Sequence, residues 1–201
     1  MPGTDAGIVG ILLAGGRSTR FGADKLLHPL ADGTPMALAS GRRLLAACPH
    51  TMSILRAGQT KLCRLLTEIG VDVRVDAACE LGMGSSLACA VRATPAAAGW
   101  LVALADMPFV GASTVQSVLG ALRDGAEIAA PVCRGRRGHP VGFSRGCFAA
   151  LAGLHGEAGG RRIIEDPARS LTLIEVDDLG VIRDIDRPGD LLAVAANVAR
   201  R

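Results

Sequence analysis

From Ile8 to Cys133, short apolar runs alternate with helix-period stretches, and no other feature of the chain restricts its fold as much. Residues 8–13, 51–55, 71–75, 100–105 and 127–133 read as buried strands, being short, apolar and bounded by turn residues. Between them Leu62, Leu65, Leu66 and Ile69 keep the i, i+3, i+4, i+7 spacing of one helix face. Val115, Val118, Leu119 and Leu122 repeat that spacing behind a Ser113 to Gln116 capping box. Strands joined through helices by short connections demand right-handed crossovers. The prediction is therefore an α/β fold with a mostly parallel central sheet and helices on both faces. After Cys133 the pattern loosens into a basic loop, a strand at 140–144, two short helical stretches and an edge strand at 171–176. A last helix follows Pro188, with Leu191, Val194, Ala195 and Val198 on one face. No repeat or linker divides the chain, so residues 1–201 are expected to form one domain.

Composition removes several function classes. Hydrophobic residues make up 49% and charged residues 20%, which supplies a core and excludes intrinsic disorder. No apolar run reaches the roughly 18 residues of a membrane span. The opening MPGTDAG has no basic cluster ahead of its apolar run, so a soluble, cytoplasmic chain without a secretory signal is expected. Six widely spaced cysteines without a C-x-x-C pair read as buried thiols rather than a zinc site or disulfide framework. A net charge of +3, with 2% aromatics and no tyrosine, argues against a nucleic-acid module and leaves room for a small anionic ligand.

The first strand runs into Ala14-Gly15-Gly16-Arg17-Ser18-Thr19-Arg20-Phe21-Gly22-Ala23-Asp24-Lys25. A glycine-rich loop at the carboxyl end of the first strand of a parallel sheet can turn successive N–H groups toward a phosphate. G-x-x-x-x-G-K-[ST] fails here on the spacing of Lys25 after Gly22, and G-x-G-x-x-G is absent, which disfavours both a P-loop ATPase and a Rossmann dehydrogenase. Arg20 and Lys25 put two cations on the loop, as a triphosphate would require, although a solvated turn with ordinary charges has the same look.

Asp106 ends the apolar run 100–105 and precedes Met107-Pro108. A carboxylate there needs a cation, a donor or exposure. Magnesium suits it, because Mg²⁺ takes one or two carboxylates beside substrate phosphates and water; an N-cap role is the alternative. Glu80-Leu81-Gly82-Met83-Gly84-Ser85-Ser86-Leu87 leads into a helix with N–H and hydroxyl donors for a nucleotide, or with a plain serine N-cap. Arg134-Gly135-Arg136-Arg137-Gly138-His139-Pro140 is either an anion clamp with glycine hinges or a solvated charged turn.

These segments together resemble a known family. L-A-G-G-R-S-T-R-F-G-A-D-K, continuing as Leu26-Leu27-His28-Pro29-Leu30, is similar to the signature loop of nucleotidyltransferases that move an NMP group onto a phosphate. It most resembles the molybdenum cofactor cytidylyltransferase and guanylyltransferase branch. The resemblance implies a single-domain, Rossmann-like nucleotidyltransferase fold in which Leu13, Ala14, Gly15, Gly16, Arg17 and Ser18 hold the nucleotide phosphates. Arg20 and Lys25 would counter charge on the triphosphate and the pyrophosphate leaving group. Asp106-Met107-Pro108 looks like the family's D-x-P metal motif, and Asp184-Ile185-Asp186-Arg187-Pro188-Gly189-Asp190-Leu191 like its closing segment, so Asp106 and Asp186 would hold Mg²⁺. Asp184 and Asp186 could instead cap the last helix. Gly84, Ser85 and Ser86 would border the nucleotide, and Arg136, Arg137 and His139 the acceptor.

Gly156-Glu157-Ala158-Gly159-Gly160-Arg161 resembles the family's G-D-x-G-A-R with glutamate in place of aspartate. The expected reaction is attack by the terminal phosphate of molybdenum-loaded molybdopterin on the α-phosphorus of CTP, with pyrophosphate released and the product destined for a recipient molybdoenzyme. L-A-G-G in place of L-A-A-G keeps GTP open as the donor. The rivals are NMP transfer to a sugar or polyol phosphate, a non-catalytic cofactor assembly factor, and an oxidoreductase.

Overall fold

A computed structural model gives the structure, which describes residues 7–14, 25–186 and 190. Six strands form the body of the sheet: β1 (Ile8–Leu13), β2 (Thr51–Leu55), β3 (Asp72–Val75), β4 (Gly99–Leu104), β5 (Ile128–Cys133) and β7 (Val141–Ser144). The two-residue β6 (Arg136–Arg137) and β8 (Leu171–Glu175) complete it. The helices are α1 (Met36–Ala47), α2 (Thr60–Glu68), α3 (Met83–Ala93), α4 (Ala112–Arg123), α5 (Phe148–Ala152) and α6 (Arg161–Ile164). The expected α/β architecture is present, with strand limits within one residue of the sequence reading.

β3, β2, β1 and β4 lie side by side and parallel, in that order. β7 then inserts antiparallel between β4 and β5. β6 continues along the same side of β5, and β8 pairs parallel on the other. The sheet is thus mixed rather than wholly parallel. The reason is local: Arg134 (φ 52°) and Gly135 (φ 70°) form a two-residue turn with both residues left-handed, which folds the chain straight back on β5. The basic stretch read as a loop is therefore a hairpin.

Alternation along the strands divides the core between the two faces. Leu12 and Leu101 point toward α1, α2 and α4 in one cluster, with Leu44, Leu62, Leu66, Val118 and Leu119. Val9, Ile11, Trp100 and Val102 point the other way, onto Leu87, Val91 and Leu151 of α3 and α5. Trp100 is fully buried, and its indole N–H donates to Thr94 Oγ1 at 2.9 Å, so the largest side chain of the core leaves no orphan donor.

The Ser113 to Gln116 capping box is not formed. Gly111 occupies the N-cap of α4 without a side-chain bond. Asp178 supplies the acceptor instead, taking the Gly111 N–H and the Thr114 hydroxyl at 2.7 Å each. A carboxylate from across the fold thus takes the N-cap N–H that a capping box would engage, and the same side chain accepts the Gly180 N–H. The cysteines are all free thiols: Cys48, Cys79, Cys133 and Cys147 are buried, and Cys63 and Cys89 are half-buried. Burial pushes the Cys48 thiol up to about 11. No helix among the described residues is long and apolar enough to cross a membrane.

Candidate active site

The carboxyl ends of β1 and β4 meet where a parallel sheet ordinarily receives ligands, and the buried Lys25 is set beside them on a 3-10 turn, Lys25–Leu27. Its ammonium lies 2.9 Å from an Asp106 carboxylate oxygen and 2.8 Å from Asp186 Oδ1. Three residues that the sequence reading put in one site, 161 positions apart at the extremes, therefore share one ionic contact. Burial pulls the Lys25 pKa down, but the bonds to Asp186 and Asp106 outweigh it, leaving the ammonium above its ordinary value.

Backbone ties hold the two acids in place. The Ile185 N–H donates to the Asp106 carbonyl at 3.0 Å, and the Ile185 side chain packs on Met36, Leu30 and Phe109. The Asp186 N–H donates to the Asp190 carboxylate at 2.9 Å. Below Asp106, the Ser40 hydroxyl donates to the Ala105 carbonyl, and the Arg43 guanidinium donates to those of Pro108 and Val110. Asp106 does not cap a helix; its carboxylate pairs with Lys25, and α4 takes its cap from Asp178.

A cavity of about 350 Å³ opens above this contact, lined by Leu13, Ala14, Lys25 and Asp106 together with Glu80, Met83, Ser86, Glu157 and Asp186. A larger one of about 560 Å³ adjoins it. Its lining is apolar over Leu87, Val102, Val141, Phe143 and Ile164 and carries Arg137, His139, Arg161 and Arg162. Leu13, Met83 and Glu157 line both.

The start of α3 is engaged differently from its sequence expectation. The N–H groups of Gly84 and Ser85 donate to the Gly156 carbonyl at 2.9 and 3.4 Å, and Ser85 Oγ accepts the Gly156 N–H at 2.9 Å. The Ser86 hydroxyl bonds to Cys79 Sγ and to the Gly82 carbonyl, with only Ser86 of the two serines lining the smaller cavity. Thus Gly84 and Ser85 dock the 156–160 loop. A side chain at Gly84 would put a Cβ 2.3 Å from the Ala158 carbonyl oxygen, and one at Gly82, whose φ is 120°, would strike the Gly156 backbone.

At the hairpin, β-strand alternation separates two residues that the sequence reading paired for the acceptor. Arg137 lines the larger cavity and Arg136 does not. His139 lines it too, half-buried, with its backbone N–H donating to the Val181 carbonyl. Burial pushes its imidazole pKa down, and Nδ1 has no hydrogen-bond partner among the described residues. Gly15, Gly16, Arg17, Ser18 and Arg20 lie outside the described residues. Glu80, at the head of the segment read from the sequence, lines the smaller cavity, whereas sequence reasoning did not single out Arg162; the Arg161-Arg162 pair directly after two glycines was the available signal.

Comparison with known proteins agrees with this geometry. The pattern of the MobA-like NTP transferase domain matches residues 10–172. A protein of Cupriavidus pinatubonensis named molybdenum cofactor guanylyltransferase is 33% identical, the alignment covering 92% of this chain and 94% of that one. The purine catabolism protein PucB of Bacillus subtilis is 26% identical over 90% and 92% of the two chains. Among solved structures, that of Rv0371c from Mycobacterium tuberculosis in complex with manganese superposes with a TM-score of 0.77 at 27% identity, over 93% of this chain and 97% of that one. With the family's domain spanning β1 through the start of β8 and both cavities at the sheet's carboxyl edge, the chain belongs to the MobA-like NTP transferases and is a nucleotidyltransferase.

Proposed function

We propose that the protein transfers the nucleoside monophosphate of CTP to the terminal phosphate of a molybdenum-loaded molybdopterin, releasing pyrophosphate. The observation that carries this reading is the adjoining pair of cavities, one with an ionic floor and one with an apolar floor and arginines. Two substrates that react phosphate to phosphorus need two chambers with a common boundary. The larger cavity joins Val102, Val141 and Phe143, which suit a flat heterocycle, to Arg137 and Arg162, which suit anionic ends, and its other polar side chains include His139, Glu157 and Glu165.

In this reading an oxygen of the acceptor phosphate attacks the α-phosphorus, the bond to the β-phosphate oxygen breaks, and pyrophosphate leaves. A phosphate dianion needs no general base, so the protein's work is alignment and charge stabilisation. Lys25 would face the triphosphate, and Ala14 lines the same cavity. Asp106 and Asp186 already converge on one cation, the Lys25 ammonium, and two hard oxygen donors beside a phosphate site match what Mg²⁺ takes from a protein. These two residues would hold Mg²⁺, which supplies neutralisation of the developing charge when bound. That Rv0371c has been solved as a manganese complex is in keeping with a divalent ion in this reading. The product dinucleotide would pass to a recipient molybdoenzyme.

GTP is the second reading, favoured by the L-A-G-G start of the phosphate loop and by relatives named molybdenum cofactor guanylyltransferase. Measuring pyrophosphate release with magnesium and molybdenum-loaded molybdopterin, in separate reactions with CTP and GTP, tests both. Release with CTP alone upholds the first reading, and release with GTP alone replaces it with the second. Silence with both refutes this acceptor.

A further inference from the structure

We propose that Glu157 is a specificity residue for the sugar of the nucleotide, its carboxylate accepting hydrogen bonds from the ribose hydroxyls. The inference rests on the smaller cavity being the nucleotide site and not on the identity of the acceptor. The α-phosphorus must lie at the boundary between the cavities, because the acceptor reaches it from the larger one. The ribose is joined to that phosphorus through one ester oxygen, so it lies at the boundary too. Of the three residues that line both cavities, only Glu157 has a side chain that hydrogen-bonds strongly, Leu13 being a hydrocarbon and Met83 a weakly accepting thioether. A carboxylate repels phosphate and can only accept. Its complement in the phosphate–ribose unit is therefore the pair of hydroxyls, which are neutral donors. Asp106 and Asp186 are committed to Lys25, and Glu80 lines the nucleotide cavity alone, away from the boundary.

The placement of Glu157 is built in by its loop. Gly156 is held on the N-terminus of α3 through its carbonyl and its N–H, and the missing side chains of Gly82 and Gly84 let the 156–158 backbone close on the helix. Gly160 packs on Phe143, where a Cβ would come 2.9 Å from the ring. The loop is clamped on both sides of Glu157, while the side chain itself is exposed toward the cavities.

Equilibrium binding of CTP, 2′-deoxy-CTP and 3′-deoxy-CTP to the full chain in magnesium, with the matching GTP series, provides the test. The wild-type protein should bind the ribonucleotide about tenfold more tightly than either deoxy form. Glu157→Ala should bring all three within about twofold by weakening the ribonucleotide alone, and Glu157→Gln, which keeps an acceptor oxygen without the charge, should fall between. A wild-type protein without preference, or a Glu157→Ala protein that keeps the wild-type ratio, overturns the proposal. Neither result touches the acceptor assignment, which pyrophosphate release reads separately. Failure of every nucleotide to bind removes the nucleotide site itself, and this inference with it.

Discussion

The Lys25 ammonium stands 2.9 Å from Asp106 and makes a second contact, at 2.8 Å, with Asp186. A cation held between two acids keeps them close against their mutual repulsion. Any divalent ion that uses both carboxylates must share them with Lys25 or displace it. Asp106→Ala should therefore lower pyrophosphate release by about a thousandfold, with the far-ultraviolet circular dichroism unchanged, since Asp186 still pairs with Lys25. Near-normal release in magnesium would refute the metal assignment. Lys25→Ala should slow turnover by about a hundredfold.

The same contact has a pH signature. Lys25 has a raised pKa in the folded protein, so its contribution to stability is complete below its ordinary value of 10.5 and is lost as pH climbs through the folded value. The wild-type urea midpoint should accordingly fall faster above pH 10.5 than that of Lys25→Met, and the two curves should converge at the alkaline end. Parallel curves would show that the ion pair carries no net stability.

Asp178 caps α4 from outside the helix and lies away from both cavities. Asp178→Ala should cost about 1–2 kcal/mol, a drop of roughly 2–8 °C in Tm, while kcat and KM stay at wild-type values. A catalytic loss without a loss in Tm would mean that this carboxylate has been assigned the wrong task.

Gly84→Ala asks whether the loop docked on α3 matters. The added Cβ meets the Ala158 carbonyl oxygen at 2.3 Å, so the 156–160 loop must shift, at a cost of about 1–3 kcal/mol. Because that loop walls both cavities, KM should rise for nucleotide and acceptor together, read from initial rates with each substrate varied in turn.

The hairpin gives a paired comparison. Arg137→Ala should raise the acceptor KM about tenfold, whereas Arg136→Ala, one residue away on the other face of β6, should leave it within twofold. Equal effects would mean that the hairpin acts as a general basic patch.

Much of this was legible in the sequence, for a physical reason. The strands ending at Leu13 and Leu104 and the helix faces of α2 and α4 follow from periodicity, which reports local burial directly. Lys25, Asp106 and Asp186 could be named because they belong to motifs, but periodicity could not show that they touch. Asp178 was invisible as a cap because it acts on Thr114, 64 positions earlier, and a helix start with its own serine looked self-sufficient. The antiparallel insertion of β7 was equally hidden, since Val141 and Phe143 alternate as they would in any strand and only the left-handed turn at Arg134-Gly135 reverses the chain.

That insertion bears on how such a protein can change over time. The smaller cavity is assembled chiefly from residues up to Asp106, with Glu157 and Asp186 closing it, whereas most of the larger one's wall comes from the single stretch 137–165. With β7 wedged between β4 and β5, that stretch is a cassette bolted to a fixed reactive end. Drift inside it can retune what is accepted while the phosphate chemistry is inherited unaltered, and one scaffold can serve lineages with different metabolic needs.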